Sequence, residues 1–279
     1  MPSFAFWYVF TSDGVNGFLL DLVRRPSESL ARLVTYRQGH PPRIVRHGFQ
    51  PADLNGVPGA LGVSLGGIAL DALGCRSALP GMNIDARFAL NGISMRFVPG
   101  FVTWWFDNVP DFRSRYGALD QATCDGAKYR DAPFTCSTYS LDSLASARWI
   151  LISAPRFADT DLAFEISAAR LLGRWMPTAR VLHAGHEYHL NSALDSLFRL
   201  RIGRAGDVES GERVFTASIR ASGLRIDVEA RGPLDQFARL DTEGQTEIHT
   251  TLFGTCRATV ASAGQTFVAE RNCLLEVKN

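Results

Sequence analysis

The 279-residue chain has no CxxC pair: its five cysteines, Cys75, Cys124, Cys136, Cys256 and Cys273, stand apart. An odd, dispersed set is neither a disulfide framework nor a zinc ribbon. No excess of either charge is present, with 29 basic against 28 acidic side chains. The basic surplus by which nucleic-acid binders meet phosphate is therefore missing. Long apolar runs are missing too. The longest uncharged stretch, Leu54–Leu70, contains five glycines and a proline, and falls short of the ~20 apolar residues of a membrane helix. The opening Met1-Pro2-Ser3-Phe4-Ala5-Phe6-Trp7-Tyr8 lacks a basic segment and reaches Asp13 early, unlike a secretory signal. There is no P-loop, dinucleotide fingerprint or EF-hand, and Gly59–Gly67 has neither GxGxxG spacing nor a Walker lysine. The expectation is a cytoplasmic protein without cofactor, nucleic-acid partner or stable membrane insertion. Nothing in the sequence bears on oligomeric state.

What is present is apolar and aromatic. Hydrophobic residues make up 46%, and eighteen Phe stand against four Met, which suits a core or an apolar pocket rich in rings. Period-two patterning dominates. Phe4–Phe10 and Phe18–Val23 flank Asp13-Gly14-Val15-Asn16-Gly17 as a hairpin. Met82–Leu90, Asn91-Gly92 and Ile93–Val98 read as a second one. Strand-like runs follow at Ala31–Tyr36, Arg43–Arg46, Asp161–Ile166, Phe215–Arg220, Leu224–Ala230, Thr255–Val260, Thr266–Ala269 and Cys273–Val277, with turns at Ala221–Gly223 and Ser262–Gly264. Helical spacing is confined to Ser27–Tyr36, Leu65–Leu73 and Ser143–Ile150. Many short strands at even spacing predict an all-β protein, antiparallel sandwich or barrel, with few short helices. The polar stretch Ser137–Ser143 suggests two halves, 1–142 and 143–279, without a repeat at residue level.

Three constellations could carry chemistry. Gly62-Val63-Ser64-Leu65-Gly66 matches the G-x-S-x-G nucleophile elbow, with His47-Gly48 upstream and His249 downstream as a possible base. Against it, the approach Val57-Pro58-Gly59 is unlike a central parallel strand, and a glycine-rich strand or bulge is the leading explanation of the motif. His183-Ala184-Gly185-His186-Glu187-Tyr188-His189 holds three of six histidines. On one continuous strand, His183, Glu187 and His189 would share a face, which suits a proton-transfer site or, less well, a divalent metal. Phe101–Asp107 supplies Trp104, Trp105, Phe106 and Asp107. There, rings could face a developing carbocation, and a desolvated carboxylic acid could donate a proton; ordinary core packing is the alternative.

Taken together, Phe6-Trp7-Tyr8-Val9-Phe10-Thr11-Ser12-Asp13-Gly14, Gly185-His186-Glu187-Tyr188-His189-Leu190-Asn191-Ser192 and Gly254–Val260 with Leu274-Leu275-Glu276-Val277 resemble the lipocalin-like group that includes carotenoid hydratases and tocopherol cyclase. Leu190 stands where the hydratase pattern has its acidic residue. The resemblance implies two lipocalin-like halves and a lipophilic substrate, isoprenoid or polyketide-derived, protonated by a buried acid for hydration or cyclisation without a cofactor. It carries over Tyr188, His189 and Asn191 as a polar cluster. The expected site has Asp107 or Glu187 as general acid, with His183, Tyr188 and His189 relaying the proton. Trp104, Trp105, Phe106, Trp149 and Asn191 would line the substrate. The competing readings are a non-catalytic lipophilic-ligand binder on the same fold and a serine hydrolase through Ser64.

Overall fold

The structure is a computed structural model that describes residues 5–57, 60, 62–96, 111–129, 133–140, 148–154, 162–171, 174–191, 199–205, 211–221, 223–241, 247–262 and 264–278, with the backbone alone at positions 187, 189 and 191 among others. The chain divides into two compact units, Met1–Arg37 with Pro42–Ala145, and Gln38–Pro41 with Ser146–Asn279.

In unit 1, β1 (Ala5–Ser12), β2 (Asn16–Arg24), β3 (Ser29–Arg37) and β4 (His40–Phe49) form a meander. Its first turn is set by Asp13, whose Oδ1 accepts the N–H groups of Val15 at 2.8 Å and Asn16 at 2.7 Å, an Asx turn. Short strands β5 (Leu54–Gly56), β6 (Val63–Leu65), β7 (Ile68–Leu70) and β8 (Gly74–Leu79) lead into long β9 (Met82–Arg96) and β10 (Asp111–Cys124). β11 (Ala127–Tyr129) pairs with β10, and β12 (Pro133–Ser140) pairs antiparallel with both β10 and β1. The sheet therefore runs from β4 through β1 and β12 to β5. It curls until its far end meets its near strands: Trp7 Nε1–H donates to Ala60 O at 2.8 Å, and Arg24 Nη2 donates to Leu54 O at 3.0 Å. The interior is filled by side chains, among them Trp7, Phe18, Leu20, Leu22, Leu65 and Ile68.

The opposite face of β1–β3 is also buried. Tyr8 stacks between Phe6 and Phe10, at ring-centroid distances of 5.7 and 6.2 Å. Next to Tyr8 in the ladder stands Asp21, and next to Asp21 stands Arg32. Arg32 Nε donates to both Asp21 oxygens at 2.9 and 3.0 Å, and Nη2 donates to Oδ2 at 2.5 Å.

Unit 2 repeats the plan. β13 (Arg148–Ala154), β14 (Ala163–Leu171), β15 (Arg174–His183) and β16 (His186–Asn191) form its meander. They are followed by β17 (Arg199–Ala205), β18 (Glu212–Ala221), β19 (Leu224–Pro233), β20 (Ala238–Asp241), β21 (Glu247–Ser262) and β22 (Gln265–Lys278). The last strand, β22, pairs with the first, β13, as β12 does with β1. Its core gathers Ile152, Phe164, Ile166, Val181, Ile226 and Val260. The fold is all-β, antiparallel and lipocalin-like. The four described cysteines with resolved side chains, Cys75, Cys124, Cys256 and Cys273, are free and buried. Burial and the neighbouring Asp125 push the Cys124 thiol up to about 12, so it packs as a small hydrophobe.

Four local expectations are corrected. Ser29–Arg37 is strand, as the Ala31–Tyr36 run suggested, and not the helix of Ser27–Tyr36: both of its faces are buried, so Leu30, Leu33 and Val34 mimic helical spacing. Leu65 and Ile68 are cross-strand partners across a two-residue turn, which produces their i, i+3 spacing without a helix. Arg148–Ile150 begins β13, while 143–147 lie outside the described residues. Asn91-Gly92 does not turn the chain, because β9 runs straight through it. A register shift against β10 instead sets Ala89 opposite Ala118 and Ile93 opposite Tyr116, which is bulge geometry.

The nucleophile elbow is also overturned. Ser64 sits exposed in the middle of β6, paired antiparallel with β5 and β7, with no helix following. Its second glycine has a structural reason: Gly66 takes φ +53°, and a Cβ there would lie 1.9 Å from the Phe49 ring.

Two outcomes follow from this packing. Gly66→Ala should lose about 1–2 kcal/mol from its backbone conformation, whereas Ser64→Ala should stay within about 0.5 kcal/mol and the wild type should resist fluorophosphonate labelling. In urea unfolding, Asp21→Ala should cost about 3–5 kcal/mol, because it removes the carboxylate from a buried guanidinium; a loss under about 1 kcal/mol would contradict the packing described.

Candidate functional site

In unit 2 the face of the meander turned away from the apolar core is polar, yet closed to water. Strand alternation builds it. Ile150, Ile152 and Ala154 enter the core, leaving Trp149, Leu151 and Ser153 on the other side. Register then lines up Leu274, Ser153, Glu165 and Arg180 as one cross-strand row, with position 189 next in the ladder. Ser153 and Glu165 are 0% exposed and Arg180 is 1% exposed. Directly opposed charges of opposite sign on neighbouring strands favour each other, and burial strengthens that attraction.

One edge of this face is made by Trp149. Its Nε1–H donates to Glu276 Oε1 at 2.8 Å, and the Lys278 ammonium lies 4.6 Å from the ring centroid. Such a cation–π contact is worth about 0.5–2 kcal/mol. Lys278 and Thr250 are buried as well. The indole expected to face a substrate cation thus already faces one from the protein.

The His183–His189 segment is not one strand. Ala184 (φ +51°) and Gly185 (φ +74°) make a two-residue turn, so β15 and β16 form a hairpin in which His183 opposes His186 and Val181 opposes Tyr188. That two-residue shift regroups the candidates. His183 and Tyr188 belong to the core side: Tyr188 packs against the core, and the His183 ring lies 5.6 Å from that of Phe267. Positions 187, 189 and 191 pair with Leu182, Arg180 and Thr178, in register with the polar face. His183, Glu187 and His189 therefore do not share a face, and among the described residues no metal-holding cluster occurs. Trp104, Trp105, Phe106 and Asp107 lie outside the described residues.

The residues that sequence reasoning missed are Ser153, Glu165, Arg180 and Lys278. Each occupies the polar phase of an alternating strand, which looks the same in sequence whether that face meets water or is covered. Elsewhere in unit 2, a shallow groove of about 500 Å³ runs over Thr216, Ser218, Asp227, Glu229, Arg257 and Thr259. Its carboxylates are already engaged, Asp227 by Ser218 and Arg225, and Glu229 by Arg231.

No family model matches the chain, and no curated protein matches it. Solved structures do match in fold. Along 99% of this chain and 92% of its own, an AttH candidate from Nitrosomonas europaea superposes with a TM-score of 0.59 at 14% identity. Kievitone hydratase from Nectria haematococca covers 98% and 88%, with a TM-score of 0.58 at 11% identity. CghA, solved with Sch210972, covers 99% and 88%, with a TM-score of 0.61 at 9% identity. Among the described residues no helix is long and apolar enough to cross a membrane.

His249, once the partner sought for Ser64, is a half-buried side chain 3.3 Å from Glu247. Burial, aided by Arg213 and opposed by Glu247, holds its pKa below the usual 6.5. Above that value the imidazole is neutral in folded and unfolded chains alike. As pH falls below it, the unfolded chain takes up a proton that the native one resists, so stability declines through the native pKa. Denaturant unfolding at about pH 7.5 and about pH 5.5 should show a larger loss for wild type than for His249→Gln; equal losses would contradict this.

Proposed function

We propose that the chain is a cofactor-independent enzyme that starts hydration or cyclisation of a lipophilic, isoprenoid or polyketide-type small molecule by protonating it. The observation that carries the reading is the fully buried carboxyl of Glu165, set between Ser153 and Arg180 on a face outside the packed core. A buried polar row is costly to desolvate, which is the reason to seek a use for it beyond packing. Exclusion of water keeps an acid's proton from leaking before substrate arrives. The fold shared with kievitone hydratase, a hydratase by name, supports the reaction class.

In this reading Glu165 is the general acid: it meets the substrate protonated, and Arg180 beside it in the ladder holds the carboxylate left after proton transfer. Its proton forms a C–H bond on an alkene carbon, leaving a cation at the neighbouring carbon. In hydration, water adds there and returns a proton to the carboxylate; in cyclisation, a second double bond attacks and the proton is lost from the ring product. Glu187 and His189 occupy adjoining register positions on the same face and would hold or relay the proton. Asp107, with Trp104, Trp105, Phe106 and Asn191, is a candidate for the acid and the lining.

The test is turnover of a panel of polyprenyl and polyketide alkenes, read by mass spectrometry as gain of one water or as an isomer. Glu165→Gln should fold normally, bind as wild type and lose at least about 100-fold in rate. Full turnover by that variant would remove Glu165, and parallel Asp107→Asn and Glu187→Gln variants rank the three carboxylates. Binding without turnover by wild type would point to a carrier.

A further inference from the structure

We propose that Ser153 Oγ is an anchoring point for a neutral oxygen, a hydroxyl or carbonyl, of the lipophilic ligand, and that it makes the site select oxygenated molecules over plain hydrocarbons. The inference rests on the proposed function and names a substrate feature that the fold does not. Ser153 is 0% exposed, and among the described residues its hydroxyl has no hydrogen-bond partner. Leaving such a group unmet costs about 1–3 kcal/mol, which alanine at the same position would avoid. Three other buried hydroxyls are provided for: Ser29 Oγ donates to Pro51 O, Ser77 Oγ accepts from Leu79 N–H, and Thr251 Oγ1 accepts from Phe253 N–H.

Position supplies the second argument. Ser153 stands in the ladder between Leu274 and Glu165, on the face away from Ile152 and Ala154, which enter the core. An apolar neighbour on one side and a carboxyl on the other suit a neutral oxygen on an apolar skeleton and disfavour an anion. A hydroxyl both donates and accepts, so an alcohol and a carbonyl fit alike. Ser153 is thus a specificity-determining residue, one strand from the proposed acid.

The experiment compares the full-length wild type with Ser153→Ala and Ser153→Thr, measuring Tm and the affinities for farnesol and for the hydrocarbon of the same skeleton lacking the hydroxyl. Wild type should bind farnesol at least about tenfold tighter than the hydrocarbon, equivalent to about 1.4 kcal/mol. Ser153→Ala should match or exceed the wild-type Tm and keep the hydrocarbon affinity while losing the preference. Ser153→Thr, which retains the hydroxyl, should keep the preference. A lowered Tm or failure to fold in Ser153→Ala would show a structural partner for the hydroxyl and overturn the inference. An unchanged preference in that variant, or no preference in wild type, would overturn it while leaving the proposed function standing. If wild type binds neither probe, the inference falls, and turnover of the alkene panel decides the proposed function separately.

Discussion

A β-strand has two faces, and over most of β1–β3 in one unit, and of the described side chains of β13 and β14 in the other, neither face meets water. This double burial is the constraint on which the rest depends. One face of each meander packs into an apolar core of its own, Trp7 and Phe18 in one unit, Ile152 and Phe164 in the other. The second face must satisfy its polar groups without bulk solvent. In unit 1 it does so with the Asp21–Arg32 fork and an aromatic stack. In unit 2 it carries Ser153, Glu165, Arg180, Lys278 and Thr250.

That arrangement also explains what the sequence made legible. Alternation, turn residues and strand spacing were enough for the all-β class. Asp13, Gly223 and Gly264 stand at hairpin turns as their chemistry demands. Where both faces are buried, alternation disappears. Leu30–Tyr36 then looks helical, although it is a central strand. Local signals also lost to tertiary pairing at Asn91-Gly92, a strong turn dipeptide absorbed as an irregularity in β9 because β10 offers a continuous partner.

The site was legible only in part, for a reason of register. Within His183–His189 the Ala184-Gly185 turn moves every later residue to the opposite face from that expected on a straight strand. Glu165 and Arg180 lie fourteen and more positions apart in sequence from one another and from Glu276 and Lys278, and only strand pairing brings them into one field. Nothing in a linear reading separates a covered polar face from a solvated one. Likeness to solved structures at 9–14% identity fixes the architecture, and the chemistry has to be argued from the residues that occupy it.

The most direct test of a ligand site on this second face is photolabelling with a diazirine-bearing isoprenoid alcohol, with and without excess unlabelled competitor, followed by peptide mapping. Competable label concentrated in β13, β14 and β15 is the predicted result. Label confined to the outer strands β18 and β19, or label that competitor does not displace, would contradict it.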